Sequence, residues 1–129
     1  MFELQDIAKR YGPVVALDGV DLHIDAAATT ALIGPSGAGK STVLRMLIGL
    51  DWPDRGVVRF DGEPLRRERL LEQRRGIGYV IQEGGLFPHL TAADNVALVA
   101  RVLRWPTEKI AERSRELARL CALPDGLLQ

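Results

Sequence analysis

Residues 34–42, Gly34-Pro35-Ser36-Gly37-Ala38-Gly39-Lys40-Ser41-Thr42, place glycines, a lysine and paired hydroxyls at the spacing G-x-x-x-x-G-K-[ST], the Walker A pattern. Physical demands account for that spacing. Successive backbone N–H groups must turn inward around phosphate oxygens, and Cβ atoms would obstruct both the turns and the close approach. Gly34, Gly37 and Gly39 remove those obstacles. Lys40 stands where a helix opens, so its ammonium can fold back toward the β- and γ-phosphates while the helix N-terminus adds partial positive charge. Ser41 offers a hydroxyl to a divalent cation. The pattern therefore points to a nucleoside triphosphate, ATP with Mg2+. The plainer alternative, a glycine-rich turn capping an ordinary helix, is disfavoured by what flanks the loop.

On its N-terminal side, residues 29–33 (TTALI) are β-branched and apolar without alternation, as expected of a strand covered on both faces. On its C-terminal side, residues 40–50 carry Val43, Leu44, Leu47 and Ile48 at helical spacing. Further strands are expected at 2–9, stopped by Tyr11-Gly12-Pro13, and at 20–24. Another is expected at 57–60, entering a tight turn at Asp61-Gly62, with Gly62-Glu63-Pro64 breaking its continuation. A charged helix is expected over 65–75 and a buried-type strand over 77–81 (IGYVI). Two helices follow. Thr91 caps the first with Asp94 three residues on. The second begins at Thr107, with Ile110, Ser114, Leu117 and Cys121 on one face and Glu112–Arg115 and Glu116–Arg119 pairs on the other. Leu123 to Gln129 reads as a helix stop, as though the chain ended within a domain.

Composition narrows the function classes. Lys plus Arg (17) equals Asp plus Glu (17), so no net field argues for a nucleic-acid partner or an anionic membrane surface. The cluster Arg66, Arg67, Arg69, Arg74 and Arg75 is interleaved with Glu63, Glu68 and Glu72 and has no aromatic platform, which reads as a solvated helix face. The apolar share of 47% with 26% charged residues is that of a folding globular domain. Cys121, alone, reads as a small buried apolar residue and fits a reducing compartment. The sequence offers neither a signal peptide nor an apolar run long enough to cross a bilayer, so the expectation is a chain neither secreted nor membrane-spanning by itself.

Several segments together resemble the ATP-binding subunit of an ABC (ATP-binding cassette) transporter. Tyr11, followed by Ala16-Leu17, stands at the spacing of that family's adenine-stacking aromatic, and GPSGAGKST at 34–42 is a common form of its Walker A. Gly49-Leu50-Asp51-Trp52-Pro53-Asp54-Arg55-Gly56 with Val57 to Gly62 resembles its "GL…P..G.V..DG" stretch, making Trp52 a packing residue. Gly78 to Gln82, followed by Leu86-Phe87-Pro88-His89-Leu90-Thr91 and Asn95-Val96, resembles its Q-loop. Taken alone, Tyr11 reads as a turn tyrosine and Gln82 as a plain loop residue. The resemblance implies that Tyr11, residues 34–42 and Gln82 bind the nucleotide, that Ser41 and Gln82 meet Mg2+, and that Thr42 reaches the α-phosphate. It also implies that the segment through His89 faces a membrane permease. His89 itself reads as a partner-contact or solvated residue, and His23 as structural or exposed.

The implied fold is α/β of the P-loop NTPase type, a parallel core sheet with an N-terminal antiparallel β part and helices, truncated before its second half. Residues 1–129 would be the N-terminal part of the ATP-binding domain, carrying Walker A and Q-loop but not the signature segment, Walker B acids or switch histidine. Without Walker B carboxylates there is one Mg2+ anchor fewer and no polarizer for water, so poor or absent hydrolysis is expected of these residues alone; without the later strands the 29–33 run lacks neighbours, so marginal stability is expected as well. The wording of 76–89, with Ala97-Leu98-Val99 and Leu103-Arg104-Trp105, is similar to importers of quaternary amines such as glycine betaine and choline. The implied setting is the cytoplasmic face of the membrane, with a transmembrane permease and a second cassette as partners, energising import of a small solute such as an osmoprotectant. Two alternatives stand beside it: a truncated, non-catalytic nucleotide-binding module, and a cassette ATPase outside transport.

Overall fold

The computed structural model describes residues 1–82, 84–124 and 126, divided into two compact units, Met1–Tyr79 and Val80–Gln129. In the first, β1 (Phe2–Tyr11) and β2 (Val14–Ile24) form an antiparallel hairpin. Its two-residue loop is Gly12-Pro13, with Tyr11 opposite Val14; Gly permits the turn and Pro cannot extend the ladder. β2 thus begins six residues earlier than the alternation at 20–24 suggests. β3 (Arg55–Phe60) pairs antiparallel with β1 and turns at Asp61-Gly62, as expected, into β4 (Glu63–Pro64). That two-residue edge strand replaces the expected break, and Pro64 is tolerated there because an edge residue has one side free of the ladder. The sheet order is β2-β1-β3-β4.

Helix α1 (Lys40–Leu47) lies on this sheet. Val43, Met46 and Leu47 join Leu4, Ile7, Leu17, Val58 and Leu65 in the core, with Trp52 packed against it as the sequence suggests. Leu44, expected on that face, is exposed, and Met46 takes the inward position at 1% exposure. The charged stretch is not one helix: a 3₁₀ turn, Arg67–Arg69, leads into α2 (Leu70–Arg74). Arg74 is half-buried and caps α1 rather than lying on a solvated face, donating from Nε to the Ile48 carbonyl at 2.7 Å and from a terminal nitrogen to that of Gly49 at 3.0 Å. These carbonyls belong to the helix end whose acceptors lack intrahelical partners.

The expected parallel core sheet is not formed among the described residues. Segments 29–33 and 77–81 carry no strand pairing, and Ile33 and Val80 are 92% and 94% exposed. A parallel strand is held by slanted ladders to neighbours on its edges. Neither run has such a neighbour among the described residues, so both remain outside the antiparallel sheet.

In the second unit, α3 (Ala92–Val102) begins at Thr91, whose hydroxyl accepts from the Asp94 amide at 3.1 Å and donates to the Asp94 carboxylate at 2.7 Å. The expected cap is therefore present. Asn95 adds a brace: its carbonyl oxygen accepts from the Phe87 amide at 2.7 Å, and its amino group donates to the Phe87, Leu90 and Thr91 carbonyls. In α4 (Thr107–Leu120) the ion pair is Arg113–Glu116 at 2.6 Å rather than the expected pairs. Cys121, at its C-terminal end, is exposed rather than buried. A cavity of about 950 Å³ between α3 and α4 is lined by Ala97, Trp105, Ile110, Ala111, Ala118 and others, but by none of the expected site residues. No helix among the described residues is long and apolar enough to cross a membrane. The part of the terminal reading that falls on Asp125 and 127–129 lies outside the described residues.

Candidate functional site

The loop 34–39 runs directly into α1, whose N-cap is Gly39. Gly37 and Gly39 have φ of 82° and 84°, a left-handed conformation that L side chains resist. A Cβ on Gly39 would also lie 2.7 Å from the Ala16 carbonyl oxygen and 2.7 Å from Leu17 Cδ2. Glycine at this position therefore sets how closely the loop can press on β2. The Ala38 amide closes a turn onto the Pro35 carbonyl at 3.3 Å, and the Val43 amide donates to Gly39 at 2.9 Å. Lys40 folds back as expected: its Nζ donates to the carbonyls of Gly34 at 2.9 Å and Pro35 at 2.6 Å.

The amides of Gly39, Lys40, Ser41 and Thr42 find no acceptor among the described residues, and α1 has no side-chain cap and no acid in its first turn. Such a terminus presents convergent donors and the positive end of the helix dipole to an anion. Ser36, Gly37, Ala38 and Ser41 are exposed, with Thr42 half-buried. A glycine-lined turn, unpaired amides and an ammonium above the loop are the donor set that phosphate oxygens require, so these residues fit a triphosphate.

Tyr11, at the hairpin corner, is tied to this helix. Its phenol donates to the Asp51 carboxylate just beyond the end of α1. The other Asp51 oxygen accepts from the Trp52 amide at 2.8 Å and faces Lys9 Nζ at 3.1 Å. Lys9 also donates to the Trp52 carbonyl at 2.7 Å and lies 5.3 Å from the centre of the Tyr11 ring. The charges respond to one another. The Tyr11 phenol, the Trp52 amide and Lys9 hold the Asp51 carboxyl below the usual carboxylate range, against an opposing effect of burial. Asp51, aided by burial, raises the Tyr11 phenol, while the Thr42 hydroxyl and Lys9 oppose that rise. Burial disfavours the Lys9 ammonium, yet Asp51 and Asp54 together outweigh it and raise its pKa. The Arg10 amide, followed by Lys9, lowers Asp54.

Tyr11 and Thr42 are thus brought together with the loop in one unit. Gln82 lies exposed on a bend in the second unit. His89 is stacked edge-on against Phe87, and His23 bonds Asp25 at 2.9 Å. The Lys9–Tyr11–Asp51 cluster is not visible in the sequence reading. Asp51 lies forty residues beyond Tyr11 in the chain, and only the "GL…P..G" wording passes through it.

The family profile of the ABC transporter matches residues 17–125. The chain is 43% identical to the Fe(3+) ions import ATP-binding protein of Mesorhizobium japonicum, over 98% of this chain and 35% of the relative. It is 44% identical to the glycine betaine/carnitine/choline transport ATP-binding protein of Bacillus subtilis, over 93% of this chain and 32% of the relative. It is also 44% identical to the sulfate/thiosulfate import ATP-binding protein of Mycobacterium tuberculosis, over 92% and 33%. A bacterial ABC transporter cassette solved as a dimer superposes with a TM-score of 0.88 at 31% identity, over 100% of this chain and 60% of that one. A post-hydrolysis state of such a cassette bound to ADP and Pi superposes with a TM-score of 0.86 at 31% identity, over 99% and 60%. The chain spans about a third of the length of these curated relatives.

Proposed function

Because this chain belongs to the ABC transporter family, we propose that residues 1–129 supply the nucleotide-gripping part of an ATP-binding subunit that energises import of a small solute. The first turn of α1 carries this reading. Its amides from Gly39 to Thr42 lack acceptors among the described residues, and Lys40 is poised over the loop they end. The phosphates of ATP satisfy those amides, with Gly34, Pro35, Ser36, Gly37 and Ala38 forming the wall and Lys40 supplying charge. Ser41 would hold Mg2+ through its hydroxyl. Gln82 would do so through its amide oxygen, a role that rests on the resemblance of 78–82 to the Q-loop. When bound, the metal neutralises phosphate charge. Thr42 serves the α-phosphate and the Tyr11 ring the base.

Hydrolysis coupled to transport is proposed for the whole protein, docked on a membrane permease at the cytoplasmic face and paired with a second cassette. Identities of 43% and 44% fall on relatives named for ferric ions, for quaternary amines and for sulfate. This segment therefore carries the energising step more than the choice of solute. Glycine betaine and choline are the first solutes to assay, on the strength of the wording of 76–89. The nucleotide reading is tested by retention on ATP-agarose with and without Lys40→Ala. Loss of retention supports it, and unchanged retention overturns it.

A further inference from the structure

We propose that Asp51 is a positioning residue for the nucleotide base, clamping the Tyr11 ring at a fixed place relative to the phosphate loop; the inference rests on the nucleotide reading above. One oxygen of Asp51 receives the Tyr11 phenol, and the other receives the Trp52 amide and faces Lys9. Asp51 is itself fastened to α1. The Leu50 and Asp51 amides both donate to the Arg45 carbonyl, at 2.8 and 3.3 Å. The opposite end of that helix carries Lys40, Ser41 and Thr42.

Tyr11 is 44% exposed, and Lys9 lies over one face of its ring. A ring free to swing about its Cα–Cβ bond would have to be ordered each time a base stacked on it. One whose hydroxyl is pinned has already lost that freedom. Lys9 serves the same arrangement, since its ammonium bridges Asp51, the Trp52 carbonyl and Asp54 and so fixes the carboxylate that fixes the ring. The ligand class is a flat base joined to a polyphosphate, with aromatic stacking supplying the base contact.

The test compares binding of ATP with binding of inorganic tripolyphosphate, which has no base, by titration calorimetry. Asp51→Ala, which leaves no acceptor for the Tyr11 phenol, is expected to weaken ATP on the order of tenfold and to leave tripolyphosphate unchanged. Tyr11→Phe keeps the ring but removes the tie, and should behave alike. The double variant should be no worse than either single one, because both cut one link. In a Tyr79→Phe background, ultraviolet titration should show the Tyr11 phenol ionising at lower pH once Asp51 is Asn. Equal weakening of ATP and tripolyphosphate by Asp51→Ala would overturn the proposal, since Asp51 would then support the loop rather than the ring. Unchanged ATP binding would overturn it too. Lys40→Ala weakening neither ligand would instead bring down the nucleotide reading, and this inference with it.

Discussion

Gly39 and Ala16 approach so closely that a methyl group on the first would sit 2.7 Å from the carbonyl oxygen of the second. Gly39 also holds φ at 84°. The phosphate loop is therefore seated on the β1–β2 hairpin, a link between the antiparallel sheet and the start of α1. Gly39→Ala meets both a strained backbone and an immovable backbone oxygen. It should destabilise the fold by about 2 to 4 kcal/mol, measured by urea unfolding. A loss well under 1 kcal/mol would mean that the loop does not rest on β2.

The Lys9–Tyr11–Asp51–Asp54 cluster should make stability fall at both ends of the pH scale. Asp51 and Asp54 have depressed values in the folded state. Their contribution is therefore complete above the unfolded aspartate value of about 3.9 and is lost as pH falls through the lower folded values. Lys9 and Tyr11 have raised values. Their contribution is complete below the unfolded values of about 10 and is lost as pH rises through the folded ones. The melting-temperature difference between wild type and Asp51→Asn should be greatest across the neutral range and shrink toward both extremes. A pH-independent difference would show that Asp51 acts through shape alone.

Asn95 holds the 87–91 segment onto the start of α3 through both polar atoms of its side chain. Asn95→Ala leaves the Phe87 amide without its acceptor, and that amide should exchange with solvent at least about tenfold faster. Exchange in α4 should be unchanged. Equal acceleration in both would indicate loss of the whole unit rather than of this brace.

Local signals proved legible where one short segment carries all the information. The 34–42 loop announces itself because glycine, lysine and hydroxyl spacing encodes a backbone shape. The Thr91–Asp94 cap and the Asp61-Gly62 turn are likewise set by neighbours in sequence. What could not be read depends on distant partners. Apolar runs at 29–33 and 77–81 state a need for burial but do not name the strands that would provide it. Arg74 looks like one more surface charge until Ile48 and Gly49, about twenty-five residues away, present their carbonyls. Asp51 and Asn95 are ordinary polar residues by composition, and their roles come from tertiary placement. Met46 and Leu44 fit a helical stripe equally well, and only the sheet decides which one turns inward.

The central claim, that the first turn of α1 and its loop grip the phosphates of a nucleotide, is tested most directly by following backbone amide resonances while ATP with Mg2+ is added. The largest shifts are expected at Gly37, Gly39, Lys40, Ser41 and Thr42, and Lys40→Ala should abolish them at the same ATP concentration. Saturable shifts confined to other residues, or a response of these amides that survives Lys40→Ala unchanged, would contradict it.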